Sequence, residues 1–419
     1  MSVEVISFGC RLNTFESEVA KTLAGEAGIE GAVIVNTCAV TAEAVRQARQ
    51  AIRKVRRENP HAKIIVTGCA AQIEPGTFAD MDEADYVIGN AEKTEPSTFF
   101  RIALGDQARV RVNDMASVRE TAPHMVTGFG GRARAYVEIQ NGCDHRCTFC
   151  VIPYGRGPSR SVPAGSVVRQ VRALAAEGYR EVVMTGVDIT SYGADLPGGM
   201  TLGRLVRSVL RLVPELPRLR LSSIDTIEAD GALIDAFAEE ERLMPHLHLS
   251  LQSGDNLILK RMKRRHARED AISFCAHLRT LRPDIVFGAD LIAGFPTEDE
   301  AMFANTLRLA GECGLSFLHV FPFSARPQTP AARMPQLDRA LVKERALRLR
   351  REAAQRLTEH LQAQQNKVFD VLMEREGLGR TPGFTEIEIP DCSLVQGAIV
   401  RARVTGLTNN HLTGECVAS

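Results

Sequence analysis

The stretch Cys143-Asp-His-Arg-Cys147-Thr-Phe-Cys150 decides the interpretation of this sequence. It directly follows a strand-like run at 135–140, the first in a series of alternating strand and helix patterns. Barrels built from such units carry their chemistry at the carboxyl ends of the strands. Three thiolates from one short loop can hold three irons of a [4Fe–4S] cluster, and the fourth iron stays open to a small molecule. The spacing therefore predicts an iron–sulfur site at the top of a barrel.

Closely spaced cysteines also build structural zinc sites, which are usually closed by four ligands. In this sequence the fourth ligand would have to be His145 or a distant residue. A non-catalytic, zinc-containing RNA-binding protein is therefore the alternative from a different functional class. Colour distinguishes the two hypotheses, because zinc proteins are colourless and iron–sulfur proteins are brown.

Periodicity outlines an α/β protein of several domains. Strands alternating with helices in 1–100 predict a doubly wound parallel α/β domain, with a helix capping box at Asn13 and Glu16. A Gly-rich linker is predicted at 101–132. In 133–365 six strand-like runs predict a partial (β/α)6 barrel: 135–140, 181–185, 218–222, 247–251, 285–290 and 316–321. Short strands without helices in 366–419 predict a small all-β barrel.

A second set of cysteines, Cys10, Cys38 and Cys69, is spaced by about one β/α repeat. Each follows a predicted strand of the first domain. Because parallel strands end at the same edge of a sheet, the three thiols are expected to converge there. The alternative is three small buried side chains, since free cysteine is among the most buried residue types. Their shared register favours a second three-thiolate site.

Composition limits where the protein works and how it binds partners. The formal net charge is zero, so any RNA binding must come from local basic patches; 46–57 and 339–356 are candidates, although each can also be a solvated helix face. No signal peptide or apolar run of membrane-spanning length is found, which predicts a cytoplasmic protein without a membrane partner. Disulfides are not expected there. The remaining cysteines are assigned to core or surface: Cys275, Cys313, Cys392 and Cys416.

At the 143–150 loop the sequence resembles the radical S-adenosylmethionine (SAM) superfamily, and Phe149 between the last two cysteines matches that family's pattern. The segments around the second cysteine set narrow the resemblance to the radical SAM methylthiotransferases: Gly9-Cys10-Arg-Leu-Asn13, Asn36-Thr-Cys38-Ala-Val-Thr41 and Gly68-Cys69-Ala-Ala-Gln72. It implies one [4Fe–4S] cluster at Cys143, Cys147 and Cys150, which binds SAM, an auxiliary [4Fe–4S] cluster at Cys10, Cys38 and Cys69, and a terminal TRAM-like RNA-binding barrel. It also implies tRNA, bound at its anticodon stem-loop, an electron donor such as flavodoxin or ferredoxin, and a sulfur source.

Residues at the ends of the other barrel strands are candidates for SAM contacts. They follow the second, third and fourth strands in turn: Gly186 and Asp188, Ser222 and Asp225, and Gln252 and Ser253. For the segment at the third strand, a helix N-cap explains the residues equally well. Asp225-Thr226 and His266 depart from the family's usual residues at these positions. The departures put the predicted contact with the ribose of SAM in doubt more than the reaction itself.

Members of the family modify an isopentenylated adenosine in tRNA, a threonylcarbamoylated one, or an aspartate of a ribosomal protein. The segments 155–161 and 321–332 most resemble the threonylcarbamoyladenosine class, in which the methylthio group goes to carbon 2. Arg156 and Arg160 are candidates to meet the carboxylate of that modification, or to pair with a protein carboxylate. A radical SAM enzyme without sulfur insertion is the remaining alternative, and the set Cys10, Cys38 and Cys69 is the feature that argues against it.

Overall fold

The computed structural model describes residues 3–119, 124–126, 128–390, 395–408 and 410–417. The first domain contains a parallel sheet whose strand order follows the chain: β1 (Glu4–Ser7), β2 (Ala32–Thr37), β3 (Lys63–Gly68), β4 (Tyr86–Ile88) and β5 (Val110–Arg111). Its helices are α1 (Arg11–Glu26), α2 (Ala42–Glu58), α3 (Cys69–Ile73), α4 (Pro75–Ala79) and α5 (Pro96–Ala103). Every residue of β2 is buried, as expected for a parallel strand covered on both faces.

Helices pack on both faces of this sheet. On one face, Ala24 of α1 and Phe99 of α5 share an apolar core with Ile34 of β2. On the other face, Ile52 of α2 packs in a core with Val33. The predicted parallel α/β architecture of this part of the chain is confirmed.

Two local features differ from the sequence predictions. β5 lies inside the segment 101–132, which was predicted as a linker, and it pairs with β4. The capping box at Asn13 and Glu16 is wrong, because α1 begins at Arg11 with Cys10 as its N-cap. Both side chains lie within the helix and are buried, and their oxygens accept hydrogen bonds from a guanidinium group of the next domain.

The middle of the chain forms the predicted partial barrel. Its strands are β6 (Ala135–Asn141), β7 (Arg160–Ser161), β8 (Glu181–Gly186), β9 (Arg218–Leu221), β10 (Ser223–Ile224), β11 (His246–Gln252), β12 (Val286–Ala293) and β13 (Leu315–Pro322). Its helices are α6 (Ile152–Arg156), α7 (Ala164–Ala176), α8 (Leu202–Leu212), α9 (Gly231–Glu239), α10 (Asn256–Arg261), α11 (Arg268–Leu281), α12 (Glu300–Glu312) and α13 (Arg339–Gln362). The strands pair as β7-β6-β8-β9 and β10-β11-β12-β13, and a parallel bridge between Leu219 and Leu243 joins the two sheets.

Helix α1 joins the first domain to the barrel. Its residues Phe15 and Val19 belong to the same apolar core as Val137 and Ile139 of β6. Cys10 is the N-cap residue of this helix, so the packing of α1 against β6 places Cys10 close to the barrel. Among the described residues, no helix is both long and apolar enough to span a membrane.

The last part of the chain is a closed barrel of short strands. They are β14 (Val368–Arg375), β15 (Leu378–Arg380), β16 (Glu386–Glu388), β17 (Ile399–Leu407) and β18 (Leu412–Cys416). The sequence patterns missed β15, which is three residues long and contains Gly379. A Cβ at this glycine would lie 2.5 Å from Val371 Cγ1 and 2.7 Å from Leu372 O, so the tight barrel requires glycine there.

Phe384 anchors this small barrel on the larger one. It lies between β15 and β16 with φ of +71°, an uncommon conformation for a non-glycine residue. Its ring lies 5.0 Å from the His246 ring and 4.8 Å from the Arg220 guanidinium, both on strands of the larger barrel. The small barrel therefore docks at the end of those strands opposite the cysteine loop.

Candidate active site

The loop with Cys143, Cys147 and Cys150 is fixed at both ends by backbone hydrogen bonds. The Cys143 N–H donates to Gly157 O at 3.0 Å, and the Cys150 N–H donates to Cys147 O at 3.1 Å. The preceding residue, Gly142, has φ of +75°, and a Cβ there would collide with the 157–158 backbone. The strand end and the loop therefore require this glycine, and the three thiols are presented above β6.

Charged groups surround these thiols. Arg264 Nη1 lies 3.6 Å from Cys147 Sγ, and its Nη2 donates to Asp225 Oδ2 at 2.6 Å. Burial raises the pKa of the Cys143 thiol, and it raises that of Cys150 to about 12. Such thiols become thiolates at neutral pH when a metal displaces their protons.

The second cysteine set converges as predicted. Cys10, Cys38 and Cys69 follow β1, β2 and β3, and all three line one cavity. Gly9 has φ of +93°, and a Cβ there would lie 2.9 Å from Cys38 Sγ, so a side chain at this position would push against the thiol. Burial, and then the neighbouring charge of Cys69, raises the pKa of Cys38 to about 11.

Arg156 of α6 joins the barrel to the first domain beside Cys69. Its Nε lies 3.2 Å from Cys69 Sγ, and its two terminal nitrogens donate to the Glu16 carboxylate at 2.7 Å each. Nη2 also donates to Asn13 Oδ1 at 2.6 Å, and Lys93 Nζ lies 2.7 Å from Glu16 Oε2. Burial raises the pKa of Glu16, but the charges of Arg156 and Lys93 outweigh burial and lower it to about 2.

This pairing decides between the two roles considered for the loop arginines. Arg156 is only 2% exposed and pairs with a protein carboxylate, Glu16. Arg160 donates from Nη1 to the carbonyls of Arg156 and Pro158 at 3.0 and 2.6 Å. Both side chains are buried in the contacts that hold the 155–161 segment in place.

The spacing of the thiols fits a cluster better than a single ion. Around one tetrahedral zinc, thiolates lie roughly 3.8 Å apart, since Zn–S bonds are about 2.3 Å. Among the described residues, neither cysteine trio has its three sulfurs within 4.8 Å of one another. His145 lies with Cys143 and Asp188 and does not join all three thiols as a fourth ligand. Three thiolate donors at each site are the ligand set that leaves one iron of a [4Fe–4S] cluster open, and neither trio is as compact as a single-zinc site.

One cavity of about 620 Å³ lies between the two domains, and its wall includes the three thiol residues of the first domain and Phe149 of the other cysteine loop. From the first domain it is lined by Cys10, Cys38 and Cys69, and from the barrel by the strand ends and by Phe149 of the cysteine loop. Of the predicted SAM contacts, Gly186, Ser222 and Gln252 line this cavity.

The other predicted SAM contacts lie outside the cavity wall. Asp188 Oδ2 is 4.0 Å from Cys143 Sγ and 3.2 Å from His145 Nε2. Asp225 is buried in its ion pair with Arg264 and lies 3.7 Å from His266, so the two departures from the family pattern are neighbours. Ser253 is 1% exposed, and its hydroxyl accepts from the backbone N–H of Asp255 at the start of α10.

The structure adds cavity residues to those predicted from the strand ends. His248, Asp290 and His319 lie on three neighbouring barrel strands, and both imidazoles contact Asp290 Oδ1, at 2.8 and 3.2 Å. Arg11 also lines the cavity. Asp290 ends the predicted strand 285–290, whereas the two histidines lie within the predicted strands 247–251 and 316–321, and Arg11 stood out in the sequence only as part of a cysteine motif.

The two basic stretches are ion-paired within the protein to different degrees. In α2, Arg56 lies 2.7 Å from Asp85, and in α13, Arg345 is buried 2.9 Å from Glu298. Further basic residues face acids on their own helix or nearby: Arg46, Arg53, Lys54, Arg348 and Arg356. The stretch in α2 is the more fully paired of the two, which favours the interpretation of that stretch as a solvated helix face. Cys275 and Cys313 are buried core thiols, Cys416 is exposed, and Cys392 lies outside the described residues.

Comparison with known proteins identifies the class of protein. Residues 137–310 match the model of the radical SAM superfamily, and residues 2–89 match that of the uncharacterized protein family UPF0004. The radical SAM methyltransferase TsrM from Kitasatospora setae shares the fold with a TM-score of 0.60 at 16% identity, over 79% of this chain and 77% of that one. The fold and the thiol loop define a radical SAM protein, which implies SAM and a [4Fe–4S] cluster.

Similarity to characterised relatives narrows the class. The threonylcarbamoyladenosine tRNA methylthiotransferase MtaB of Rickettsia prowazekii (strain Madrid E) is 50% identical over 99% of this chain and 97% of its own. MtaB of Bacillus subtilis (strain 168) is 33% identical over 95% of this chain and 92% of its own. The tRNA-2-methylthio-N(6)-dimethylallyladenosine synthase of Ruegeria pomeroyi is 31% identical over 98% and 97%. The chain belongs to the radical SAM methylthiotransferase family.

Proposed function

We propose that the protein is a tRNA-modifying enzyme that places a methylthio group on carbon 2 of N6-threonylcarbamoyladenosine, next to the anticodon. The observation that carries this proposal is the cavity that Cys10, Cys38 and Cys69 line together with Phe149 of the 143–150 cysteine loop. Sulfur insertion needs a place to hold sulfur next to the radical site, and the trio of the first domain provides three thiols there. The greater identity to the threonylcarbamoyladenosine enzymes, 50% against 31%, supports the substrate.

Each thiol set has a separate task in this proposal. Cys143, Cys147 and Cys150 would hold the cluster that binds SAM, and Cys10, Cys38 and Cys69 an auxiliary [4Fe–4S] cluster that holds the sulfur. When bound, the first cluster and SAM supply a 5′-deoxyadenosyl radical, which an unactivated C–H bond requires and acid–base groups cannot replace.

The protein's own residues bind, orient and exclude water. Gly186, Ser222 and Gln252 line the cavity where SAM would lie, and Phe149 packs at 6.5 Å from the Phe295 ring to support the cysteine loop. Three other residues support the SAM site indirectly. Asp188 lies beside Cys143 of the cysteine loop, Asp225 pairs with Arg264, and Ser253 accepts a hydrogen bond at the start of α10. The main catalytic contribution of the protein is to position the base against both clusters and to keep water out.

The partners follow from the same proposal. The anticodon stem-loop of tRNA binds at the cavity and places its modified base inside. An electron donor such as flavodoxin or ferredoxin reduces the clusters, and a sulfur source supplies the inserted atom. The reaction belongs to the cytoplasm, where tRNA is modified. The terminal barrel, TRAM-like in its closed five-strand form, supplies further RNA contacts.

The substrate proposal predicts a clear preference. Anticodon stem-loop RNA with threonylcarbamoyladenosine should gain a methylthio group, measured by mass spectrometry of nucleosides, and the same RNA with isopentenyladenosine should not. A ribosomal-protein aspartate should likewise remain unmodified. Preference for the isopentenylated RNA in a side-by-side assay would place the protein with the sister enzymes.

A second prediction concerns the terminal barrel as an RNA-binding surface. Arg401 and Arg403 of β17 are both exposed on its outer face. Replacing both with Gln should weaken RNA binding and reduce the slope of affinity against salt by about two charges, because each phosphate contact releases counterions. Fluorescence anisotropy over a salt series measures this. Unchanged affinity and slope would assign RNA binding to another surface.

A further inference from the structure

Two guanidinium groups and one carboxylate line the shared cavity: Arg11, Arg156 and Asp290. Two of the three already have polar partners within the protein. Arg156 is held by both carboxylate oxygens of Glu16, and Asp290 accepts from His248 and His319. Arg11 differs from both, because no residue in the described part of the chain forms a hydrogen bond or ion pair with its side chain.

Arg11 is nevertheless held in place. It is the first residue of α1, directly after Cys10, and its guanidinium lies 5.4 Å from the centre of the Phe384 ring. The same ring faces Arg134, Arg220 and Arg380. Those three have acidic partners, Glu181 for the first two and Glu386 for the third.

The surroundings of Arg11 carry an excess of donors. Arg220 is fully buried, yet its Nη1 has no hydrogen-bond partner among the described residues, and neither has Nη2 of the buried Arg134. An anion at this end of the cavity would offset the charge and the unmet donors.

From this geometry we infer that Arg11 binds the carboxylate of the threonylcarbamoyl group and thereby selects the substrate. The inference rests on the proposed function, which places that modified base in the cavity. A guanidinium binds a carboxylate through two parallel hydrogen bonds, and an isopentenyl group has no acceptor to offer in its place.

The test compares two RNAs and four proteins. One anticodon stem-loop RNA carries threonylcarbamoyladenosine, and the other carries its neutral threonine amide. The proteins are the wild type, Arg11→Met, which keeps an unbranched stem against Phe384, Arg11→Lys, which keeps the charge, and Phe384→Leu, which removes the ring but keeps the Arg11 charge. Steady-state KM for each RNA, KM for SAM, and 5′-deoxyadenosine formation without RNA are measured on the reconstituted, full-length protein.

We expect the wild type to prefer the acid over the amide in KM by about 10- to 100-fold, the range of a hydrogen bond to a charged group. In Arg11→Met that preference should disappear, with KM for SAM and RNA-independent deoxyadenosine formation unchanged. Phe384→Leu should keep the preference for the acid. Arg11→Lys keeps the positive charge with a lower risk of misfolding, but it cannot form the paired hydrogen bonds, so it should keep the preference only in part.

Several outcomes overturn the inference while leaving the proposed function intact. One is an equal KM of the wild type for the acid and the amide, which would mean that Arg11 binds another group such as an RNA phosphate. Another is a preference for the acid that is undiminished in Arg11→Met. A third is an Arg11→Met variant whose KM is raised for SAM and not for RNA. Full wild-type preference in Arg11→Lys would contradict bidentate binding. If the wild type methylthiolates neither RNA, the proposed function itself fails.

Discussion

Complete loss of 5′-deoxyadenosine formation is the expected result of replacing Cys143, Cys147 or Cys150 with Ala. The three thiols come from one loop above β6, and the open iron that SAM requires depends on all of them. With any one missing, radical chemistry cannot start, and product should fall to the level of a reaction without protein. Chromatography of anaerobic reactions with dithionite and SAM measures both deoxyadenosine and methylthiolated nucleoside.

Replacing Cys10, Cys38 or Cys69 with Ala provides the matched comparison. These thiols lie on the other side of the cavity, so deoxyadenosine should still form while methylthiolated nucleoside disappears. Iron content should fall to about half, because one of two clusters is lost. A folded triple variant that still makes full product would show that these cysteines are ordinary core residues. Circular dichroism is the necessary control, since cluster loss can unfold a domain.

The second large effect is expected at Arg156. Replacing it with Met leaves the Glu16 carboxylate, which is 2% exposed, with Lys93 as its remaining charged partner, and removes the cation beside Cys69. Breaking a buried ion pair in this way costs about 3–5 kcal/mol. The first domain should therefore unfold at lower denaturant concentration, and the auxiliary site should lose iron before the barrel site does.

Two further variants separate charge from geometry at this position. Arg156→Lys keeps the charge but not the paired hydrogen bonds, so its loss of stability should be intermediate. Arg169→Met is the control, because Arg169 is exposed on α7 and its removal should change stability by less than about 0.5 kcal/mol. Equal unfolding curves for Arg156→Met and Arg169→Met would mean that the buried pair does not stabilise the domain junction.

The sequence was sufficient for features that local spacing encodes. A loop with three cysteines after a strand predicts its own metal site, and the interval between Cys10, Cys38 and Cys69 predicts their meeting because parallel strands end at one edge. Candidates chosen by the same rule fall into two groups in the structure. Gly186, Ser222 and Gln252 line the cavity, whereas Asp188, Asp225 and Ser253 face neighbouring protein groups.

The errors have a common physical origin. Asn13 and Glu16 have the spacing of a capping box, but a capping motif describes only local hydrogen bonds. The partner that claims both side chains, Arg156, is 140 residues away from Glu16 in sequence. Short β15 was missed for a related reason, since a three-residue strand becomes a strand only when a closed barrel pairs both of its edges.

The sequence by itself therefore determined the family, the order of the three structural units and the two cysteine sets, because each depends on periodicity or on residues close together in the chain. Tertiary structure alone decided which charges remain available inside the cavity. Glu16 forms an ion pair with Arg156 across a domain boundary, and His248 and His319 form hydrogen bonds with Asp290. Arg11 has no such partner among the described residues. Charge pairing between distant segments is set by packing, and no pattern along the chain records it.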